Sequence, residues 1–354
     1  MTKLSTETPE RIVGLDVGDR YTQLCVLDRD SGEVVEEGRV RTTRSGMQGR
    51  FSVARMRIAL EVGPHSPWLS RVLVELGHEV LVANAREVGL IYSSRRKGDR
   101  VDAESLARLA RLDPRLLRAI EHRSEQAQVD RVQLRSRDAL VGCRSKLISH
   151  VRGTVKALGS RLPSCSAESF AQKVAEAVPE ALRPALGPVI EQIAVLTKTI
   201  RAYDRQLEQI AAQRYPEHEL LRQVDGVGVI TSLAYMLKLE DPRRFGRSRT
   251  VGAYLGLVPK RRQSGDRDPQ LRISKQGDAY VRRLLVNCAQ YILGPFGKDC
   301  ELRRYGERIA ARGGKNAKKR AAVAVARKLA VLLHRLWRDA EVYEPFHQLD
   351  REAA

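Results

Sequence analysis

The sequence has few of the residues that staple a fold, span a bilayer or stack on bases. Its five cysteines (Cys25, Cys143, Cys165, Cys288, Cys300) are odd in number, widely spaced and form no C-x-x-C pair. That argues against a disulfide framework or structural zinc and suits a reducing compartment. No apolar run approaches the roughly 18 residues that cross a bilayer, the longest being of the size of residues 321–326. Residues 1–11 are polar, with no apolar core before a small-residue cleavage site, so no export signal is expected. A cytosolic, nucleoid-associated protein with no membrane partner is the expectation. Aromatic residues make up only 5% of the chain, so stacking on unpaired bases should not dominate recognition.

Acidic residues are also in the minority. Lys+Arg number 63 against 43 Asp+Glu, a formal net charge of +20. An excess of that size argues for a polyanionic partner, most often nucleic acid. Residues 241–320 hold 21 Lys+Arg against 7 Asp+Glu and so carry 14 of the 20 net positive charges. At 42% apolar residues the chain is globular, and its 354 residues suffice for more than one domain.

Three regions follow from the patterning. Residues 1–118 read as an α/β domain: an apolar run over 11–17 ending in Asp16-Val17, a Gly18-Asp19 turn into 21–28, and a Ser31-Gly32 turn into 33–40, together a three-strand meander. A buried strand over 57–62, a helix over 66–76, a strand over 79–83 and a helix from near Val101 complete it. Strand-helix-strand links of this length favour parallel pairing within a mixed sheet. Residues 119–215 are long, charged and helical. Ile190, Ile193, Thr197, Ile200, Tyr203, Leu207 and Ile210 recur at spacings of three and four, a coiled-coil seam, with Pro163 and Pro179 to Pro188 marking the break between two arms. Residues 216–354 read as mostly helical, interrupted at Pro242 and by a basic loop from Pro259 to Gln276. The expected class is therefore α/β plus all-α.

Four acids stand where carboxylates are costly unless engaged. Asp16 and Glu61 close two buried strands, and neighbouring strands would bring them together, where two carboxylates repel until a divalent cation binds. The plainer alternative is that each caps a strand in water. Asp99 and Asp102, three apart in Lys97-Gly98-Asp99-Arg100-Val101-Asp102, share a face of a helix's first turn. They could equally form a capping box with Asp99 as N-cap. Taken together, the order Asp, Glu, Asp, Asp supplies the ligands of a two-metal phosphoryl-transfer centre, and oxygen ligands without a His or Cys cluster point to Mg²⁺ or Mn²⁺. Asp16 to Thr22 also resembles the phosphate turn of actin-like ATPases. The second Asp-x-Gly loop and the Gly-Gly segment of those enzymes are absent, and the charge of +20 would go unexplained.

Gly226-Val227-Gly228 resembles a helix-hairpin-helix turn, whose bare amides could meet a phosphate; an ordinary turn between helices is the alternative. Lys260, Arg261, Arg262 and Arg267 surround Ser264-Gly265, with Arg272 and Lys275 following. These cations could hold a phosphate and stabilise the extra charge of its transition state, and Ser264 could be a nucleophile, though no base stands nearby in sequence. From composition alone, Ser-Gly-Asp is a solvated turn. Lys97 and Arg100 flank the helix-start acids, and Lys318, Lys319 and Arg320 could lay a basic face along a nucleic-acid backbone, unless they are simply a solvated helix end.

As a colinear set these segments resemble the DEDD transposases of bacterial insertion sequences, the family described as bridge-RNA-guided recombinases. The matching stretches include Ile12 to Asp16, Ala59-Leu60-Glu61, Lys97 to Ala103, Val224 to Gly228, Ala253 to Pro259, Ser264-Gly265 and Ile273 to Gly277. The resemblance implies a RuvC-like (RNase H fold) domain, a coiled-coil insertion and a C-terminal transposase domain with a helix-hairpin-helix-like element. Asp16, Glu61, Asp99 and Asp102 would bind metal, and Ser264 would form a phosphoserine link to DNA. The acidic and serine centres that work together would come from different subunits of a dimer that pairs into a tetramer around donor DNA, target DNA and a guide RNA. Two other readings remain: a Holliday-junction-type nuclease using the acids and water, and a non-catalytic nucleic-acid-binding protein.

Overall fold

A computed structural model of the chain describes residues 9–84, 98–260, 262–263, 269 and 271–346. Ser264, Gly265, Arg261, Arg267 and Lys97 lie outside the described residues. The chain divides into two compact units, Met1–Glu125 and Gln126–Ala354. Within the described residues no helix is long and apolar enough to cross a membrane.

The first unit is built on a five-stranded mixed sheet in the order β3-β2-β1-β4-β5. The meander is β1 (Arg11–Val17), β2 (Tyr21–Asp28) and β3 (Val34–Arg41), antiparallel throughout, with a bulge between Val26 and Leu27. β4 (Arg57–Glu61) and β5 (Glu79–Ala83) add in parallel, as strand-helix-strand connections require. Both central strands are covered on both faces. One face packs Val13, Leu15, Ile58 and Leu60 against Met47 and Phe51 of α1 (Arg44–Phe51) and Leu69, Val72 and Leu73 of α2 (Ser66–Glu75). The opposite face packs Ile12 and Ala59 against Leu106, Leu109 and Ala110 of α3 (Asp99–Leu112).

Helix α1 is absent from the sequence expectation. Its glycines weaken helix propensity, but Thr43 accepts a hydrogen bond from the Gly46 amide at 3.1 Å, and burial of Met47 and Phe51 supplies what propensity lacks. On the other face α3 approaches β1 so closely that a Cβ added to Gly14 would lie 1.9 Å from the Ala103 carbonyl oxygen. Helix and strand meet backbone to backbone there, which only glycine allows.

In the second unit α4 (Glu125–Ala157) and α6 (Arg183–Arg214) run antiparallel, with the short α5 (Phe170–Val174) beside them. At roughly 1.5 Å per residue each long helix extends about 50 Å. Their pairing is marked by rungs: Asp130 with Arg214 and Tyr215, Arg137 with Asp204, Arg144 with Thr197, then Val151 and Val155 among Leu186, Ile190 and Ile193. Of the predicted seam, Ile190, Ile193, Thr197, Ile200, Leu207 and Ile210 are buried and Tyr203 is half-buried. The proline break is shorter than expected. Pro184 sits in the first turn of α6, where its missing N–H has no partner to lose, and Pro188 lies inside the helix one turn later.

The same unit continues through α7 (His218–Arg222), α8 (Val229–Leu239), α9 (Arg249–Tyr254), α10 (Ala279–Leu293), α11 (Glu301–Ala310) and α12 (Ala317–Asp339). One core joins them to the base of the long pair, with Ala127, Leu134, Leu207 and Ala211 packed in the same cluster as Leu233, Leu285, Leu329 and Leu333.

The backbone contact at Gly14 has a measurable consequence. Gly14→Ala should cost about 2 kcal/mol or more through overpacking. Gly38→Ala, where an added Cβ meets nothing within 4 Å, should stay within about 0.5 kcal/mol. Thermal melting of the two variants checks this, and equal midpoints would contradict the packing described.

Candidate active site and nucleic-acid interface

Strand register determines where the acids stand. β1 and β4 pair from Ile12↔Arg57 to Leu15↔Leu60, and one further step sets Asp16 beside Glu61 on strands about 4.8 Å apart. Because side chains alternate, both leave the sheet on the face of Gly14 and Ala59, which α3 covers. Arg57 donates to the Ala110 carbonyl at the far end of that helix, while Ala103 and Ala107 lie over Gly14. The first turn of α3 is therefore directed towards the strand ends that carry Asp16 and Glu61, and it brings Asp102 with it. Asp16, Glu61 and Asp102 are all half-buried.

The plain capping explanation of the helix-start acids does not hold. The N-cap is Gly98, with extended backbone (φ −177°, ψ 144°) and no side-chain cap, so Asp99 is the first helical residue and not the cap. Asp102 thus stands one residue before the stripe of Ala103, Leu106 and Ala110 that faces the sheet. The side chain of Asp99 lies outside the described residues. Among the described residues no three His, Cys, Asp or Glu side chains close into a metal cage. The donor set itself, carboxylate oxygens without sulfur, fits a hard divalent cation.

The loops beyond these strand ends are held by a network that sequence reasoning missed. Thr22 and Thr42, both buried, hydrogen-bond at 2.9 Å, and Thr42 donates to the Gly18 carbonyl, which anchors the turn after Asp16. After Glu61, the Ser66 hydroxyl donates to the Gly63 carbonyl and accepts from the Gly63 amide and from His122 Nε2 at 2.8 Å. Burial, then the Arg71 and Arg123 charges, hold His122 below the usual histidine range. Trp68 Nε1 donates to His65 Nδ1 at 3.1 Å, which leaves the ring proton on Nε2, facing Asp19 Oδ1 at 3.2 Å. His65 follows Glu61 by four residues and Asp19 follows Asp16 by three, so this pair borders the same end of the sheet. A histidine three residues before a tryptophan was the only signal available in sequence, and a weak one.

Arg100, an expected nucleic-acid contact, is ion-paired with Glu37 of β3 while remaining largely exposed. In the second unit Gly226 and Gly228 differ in what they do. Gly226 has φ +87°, and an added Cβ would lie 2.7 Å from Tyr291 Cδ1, so packing demands glycine. Gly228 is the N-cap of α8 and has open space where a side chain would stand.

The basic loop hangs from a narrow neck. Pro259 pairs with Ile273 in a single bridge, the Lys260 amide donates to the Arg272 carbonyl at 2.9 Å, and the Ser274 amide donates to Val258 at 2.8 Å. Below it, Gly256 (φ +69°) and Gly277 (φ +96°) let two segments cross, since added Cβ atoms would lie 2.0 Å from the Gln276 oxygen and 2.2 Å from the Tyr254 oxygen. Lys260, Arg262, Arg272 and Lys275 are exposed around the neck. At the start of α12, Lys318, Lys319 and Arg320 are exposed, and Arg320 donates to the Gly313 carbonyl at 2.5 Å. That first turn holds no acidic residue. Cations at a helix N-terminus oppose its dipole, so the cluster is locally unfavourable until an anion approaches.

Known proteins share these segments. A family model described as a transposase of the DEDD, IS110 type matches residues 13–159, and one described as the transposase IS116/IS110/IS902 family matches residues 218–299. The chain is 26% identical to a transposase for insertion sequence element IS1111A from Coxiella burnetii, over 94% of this chain and 91% of that protein. It is 27% identical to a probable family 20 transposase from Pseudomonas aeruginosa, over 94% and 98% respectively. A transposase for insertion sequence element IS1328 from Yersinia enterocolitica is 29% identical over 66% of this chain and 70% of that protein.

Within the second matched segment, Asp278 leads from the neck into α10. Its carboxylate accepts from the Tyr280 and Val281 amides and pairs with Arg131 of α4. Burial pushes this carboxyl up, but Arg131 and the two amides outweigh that and hold it below the usual range. Asp278→Asn keeps a capping oxygen and loses the ion pair, so it should cost about 1–2 kcal/mol at pH 7, discounted because Arg131 is a third exposed. A depressed carboxyl contributes stability above its unfolded value of about 3.9 and loses it as pH falls through the folded value. The melting midpoints of wild type and variant should therefore converge as pH falls below that folded value. A gap that persists there would refute this account.

Proposed function

The chain belongs to the DEDD transposases of the IS110 type, and from that premise we propose that Asp16, Glu61, Asp99 and Asp102 form its metal-dependent strand-transfer centre and Ser264 its nucleophile. As a transposase it acts on DNA, which accounts for the +20 charge. The first unit would be an RNase H-like, RuvC-like domain, and three functional regions would divide at about residues 118 and 215. The helical pair would serve as a coiled coil, and α7, the Gly226 turn and α8 as a helix-hairpin-helix element. The observation that supports the acidic centre best is the register of β1 and β4, which sets Asp16 beside Glu61 under a helix whose uncapped first turn begins Asp99-Arg100-Val101-Asp102.

The chemistry divides between the two groups. A divalent cation held by the four carboxylates, Mg²⁺ or Mn²⁺, would supply Lewis-acid stabilisation of the phosphate undergoing transfer. The Ser264 oxygen attacks phosphorus, an O–P bond forms, and the P–O bond to the leaving DNA oxygen breaks, the hydroxyl proton passing to that oxygen. In the joining step a DNA hydroxyl attacks the phosphoserine and restores the serine. Lys260, Arg261, Arg262, Arg267, Arg272 and Lys275 surround the transferring phosphate with positive charge that its transition state strengthens. Lys97, Arg100, the Gly228 amide, Lys318, Lys319 and Arg320 would hold flanking phosphates. Donor and target DNA would be selected by a guide RNA, with two dimers assembling as a tetramer and the acids of one protomer serving the serine of another.

Incubation with cleaved DNA followed by denaturation should leave protein attached to DNA. The adduct should vanish in Ser264→Ala and on chelation of divalent metal, and fall by about a hundredfold or more in Asp16→Asn and Glu61→Gln. Metal-dependent nicks without an adduct would establish the nuclease reading instead, and neither product would leave nucleic-acid binding alone. RNA copurifying with the protein and sequenced as one discrete species supports the guide; DNA-only copurification opposes it.

A further inference from the structure

The long helical pair carries a charged cavity that lies outside both family-matched segments, 13–159 and 218–299. It has a volume of about 360 Å³ and is bounded by Glu168, Thr197, Lys198, Arg201 and Arg205, with α5 on one side and α6 on the other. Lys198, Arg201 and Arg205 follow at intervals of three and four, so they share one face of α6, and all three are exposed. They span seven residues, about 10.5 Å along the helix.

Three arginines of this helical pair are held by carboxylates. Arg137 is paired with Asp204, Arg144 with Glu168 and Arg214 with Asp130. Among the described residues no hydrogen bond or ion pair engages Lys198, Arg201 or Arg205. The one acid on the cavity rim, Glu168, accepts from Arg144 at 2.9 Å, and that arginine is itself buried and bonded to Thr197 at the cavity floor. Glu168 is therefore committed to a buried guanidinium, which would lose its charged partner if the carboxylate turned to the rim. Three like charges on one helical face repel one another, and among the described residues no carboxylate forms an ion pair with them.

We infer that this cavity binds nucleic-acid phosphates, its three cations engaging two or three successive phosphates of one strand. A polyphosphate backbone fits because its charges recur along a line as the cations do, and because an arginine fork takes a phosphate through two parallel hydrogen bonds. The inference rests on the proposed nucleic-acid function for the choice of phosphate as ligand. It adds the helical pair to the binding surface, where the motifs of the chain put none.

The test is direct binding by the full-length protein, separate from strand cleavage. The triple variant Lys198→Gln/Arg201→Gln/Arg205→Gln is compared with Lys146→Gln/Lys156→Gln/Lys173→Gln, which removes equal charge from α4 and α5. Each is titrated against a 30-base-pair duplex and against a structured RNA over a range of salt. The cavity variant should bind at least about tenfold more weakly at 0.1 M salt, with the slope of log K against log salt smaller by about two to three. Loss on the duplex alone identifies DNA as the ligand, loss on RNA alone identifies RNA, and loss on both identifies the shared phosphate chemistry. The charge-reversed Arg201→Glu should reproduce the loss with an unchanged melting midpoint. Binding equal to wild type on both polymers, or an equal loss in the control triple, overturns the inference. If the serine adduct fails to form while the cavity variant still loses binding, the strand-transfer reading falls and the cavity stands.

Discussion

The backbone contact between β1 and α3 is what the first unit depends on. Most helices rest on a sheet through a layer of side chains, roughly 10 Å away. Here Gly14 lets the Ala103 carbonyl and Ala107 amide come down onto the strand itself. Ala59 on the neighbouring strand, and Ala103, Ala107 and Ala110 on the helix, keep the layer thin on either side of that point. The consequence is positional: the first turn of so low a helix is directed towards the strand ends that carry Asp16 and Glu61. A larger residue at position 14 would lift α3, and Asp102 with it, off the sheet.

The second unit uses buried charge to the same end. Two 50 Å helices with an apolar seam of Ile and Leu could slide past one another by a turn, because one aliphatic layer packs much like the next. Asp130, fully buried, cannot slide: Arg214, Tyr215 and Gln126 all bond to it. Arg144, also buried, is tied to Thr197 and Glu168. Burying such groups contributes little net stability, since desolvation offsets the attraction, but any other register would strand a charge in the core at several kcal/mol. Register is thus set by what misalignment would cost.

Positive charge outside those rungs has a consistent distribution. Where a cation serves the fold it is paired, as Arg131 is with Asp278 and Lys328 with Glu301. Around the loop neck, at the first turn of α12 and along one face of α6, exposed cations gather with few acids among them. Each of those places is locally unfavourable in the free protein. On the proposed function a polyanion would relieve this repulsion, and the counterions it releases would add to affinity.

Much of this was legible in sequence. The meander, the parallel pair, the long helices and the α8 start follow from period-2 and period-3.6 patterning and from turn residues, and these are local properties. Glycine at 14, 226, 256 and 277 was visible, yet its meaning was not, because each is required by an atom far away in the chain: Ala103, Tyr291, Gln276 and Tyr254. Helix α1 escaped notice since burial of Met47 and Phe51, not propensity, makes it helical. Gly98 took the cap expected of Asp99 because the chain enters that helix extended, with the cap one residue earlier.

For the candidate site, sequence determined which residue types were present and that Asp16 and Glu61 close apolar strands. Only tertiary structure decided that those strands are parallel neighbours in a register that sets the two acids side by side, and that α3 crosses the same face of the sheet over Gly14 and Ala59. His65, Trp68 and Asp19 were ordinary surface residues until the folded loops brought them into contact. A sequence states periodicity along one chain, whereas adjacency across strands and helices depends on which surfaces bury each other, a property no single segment carries.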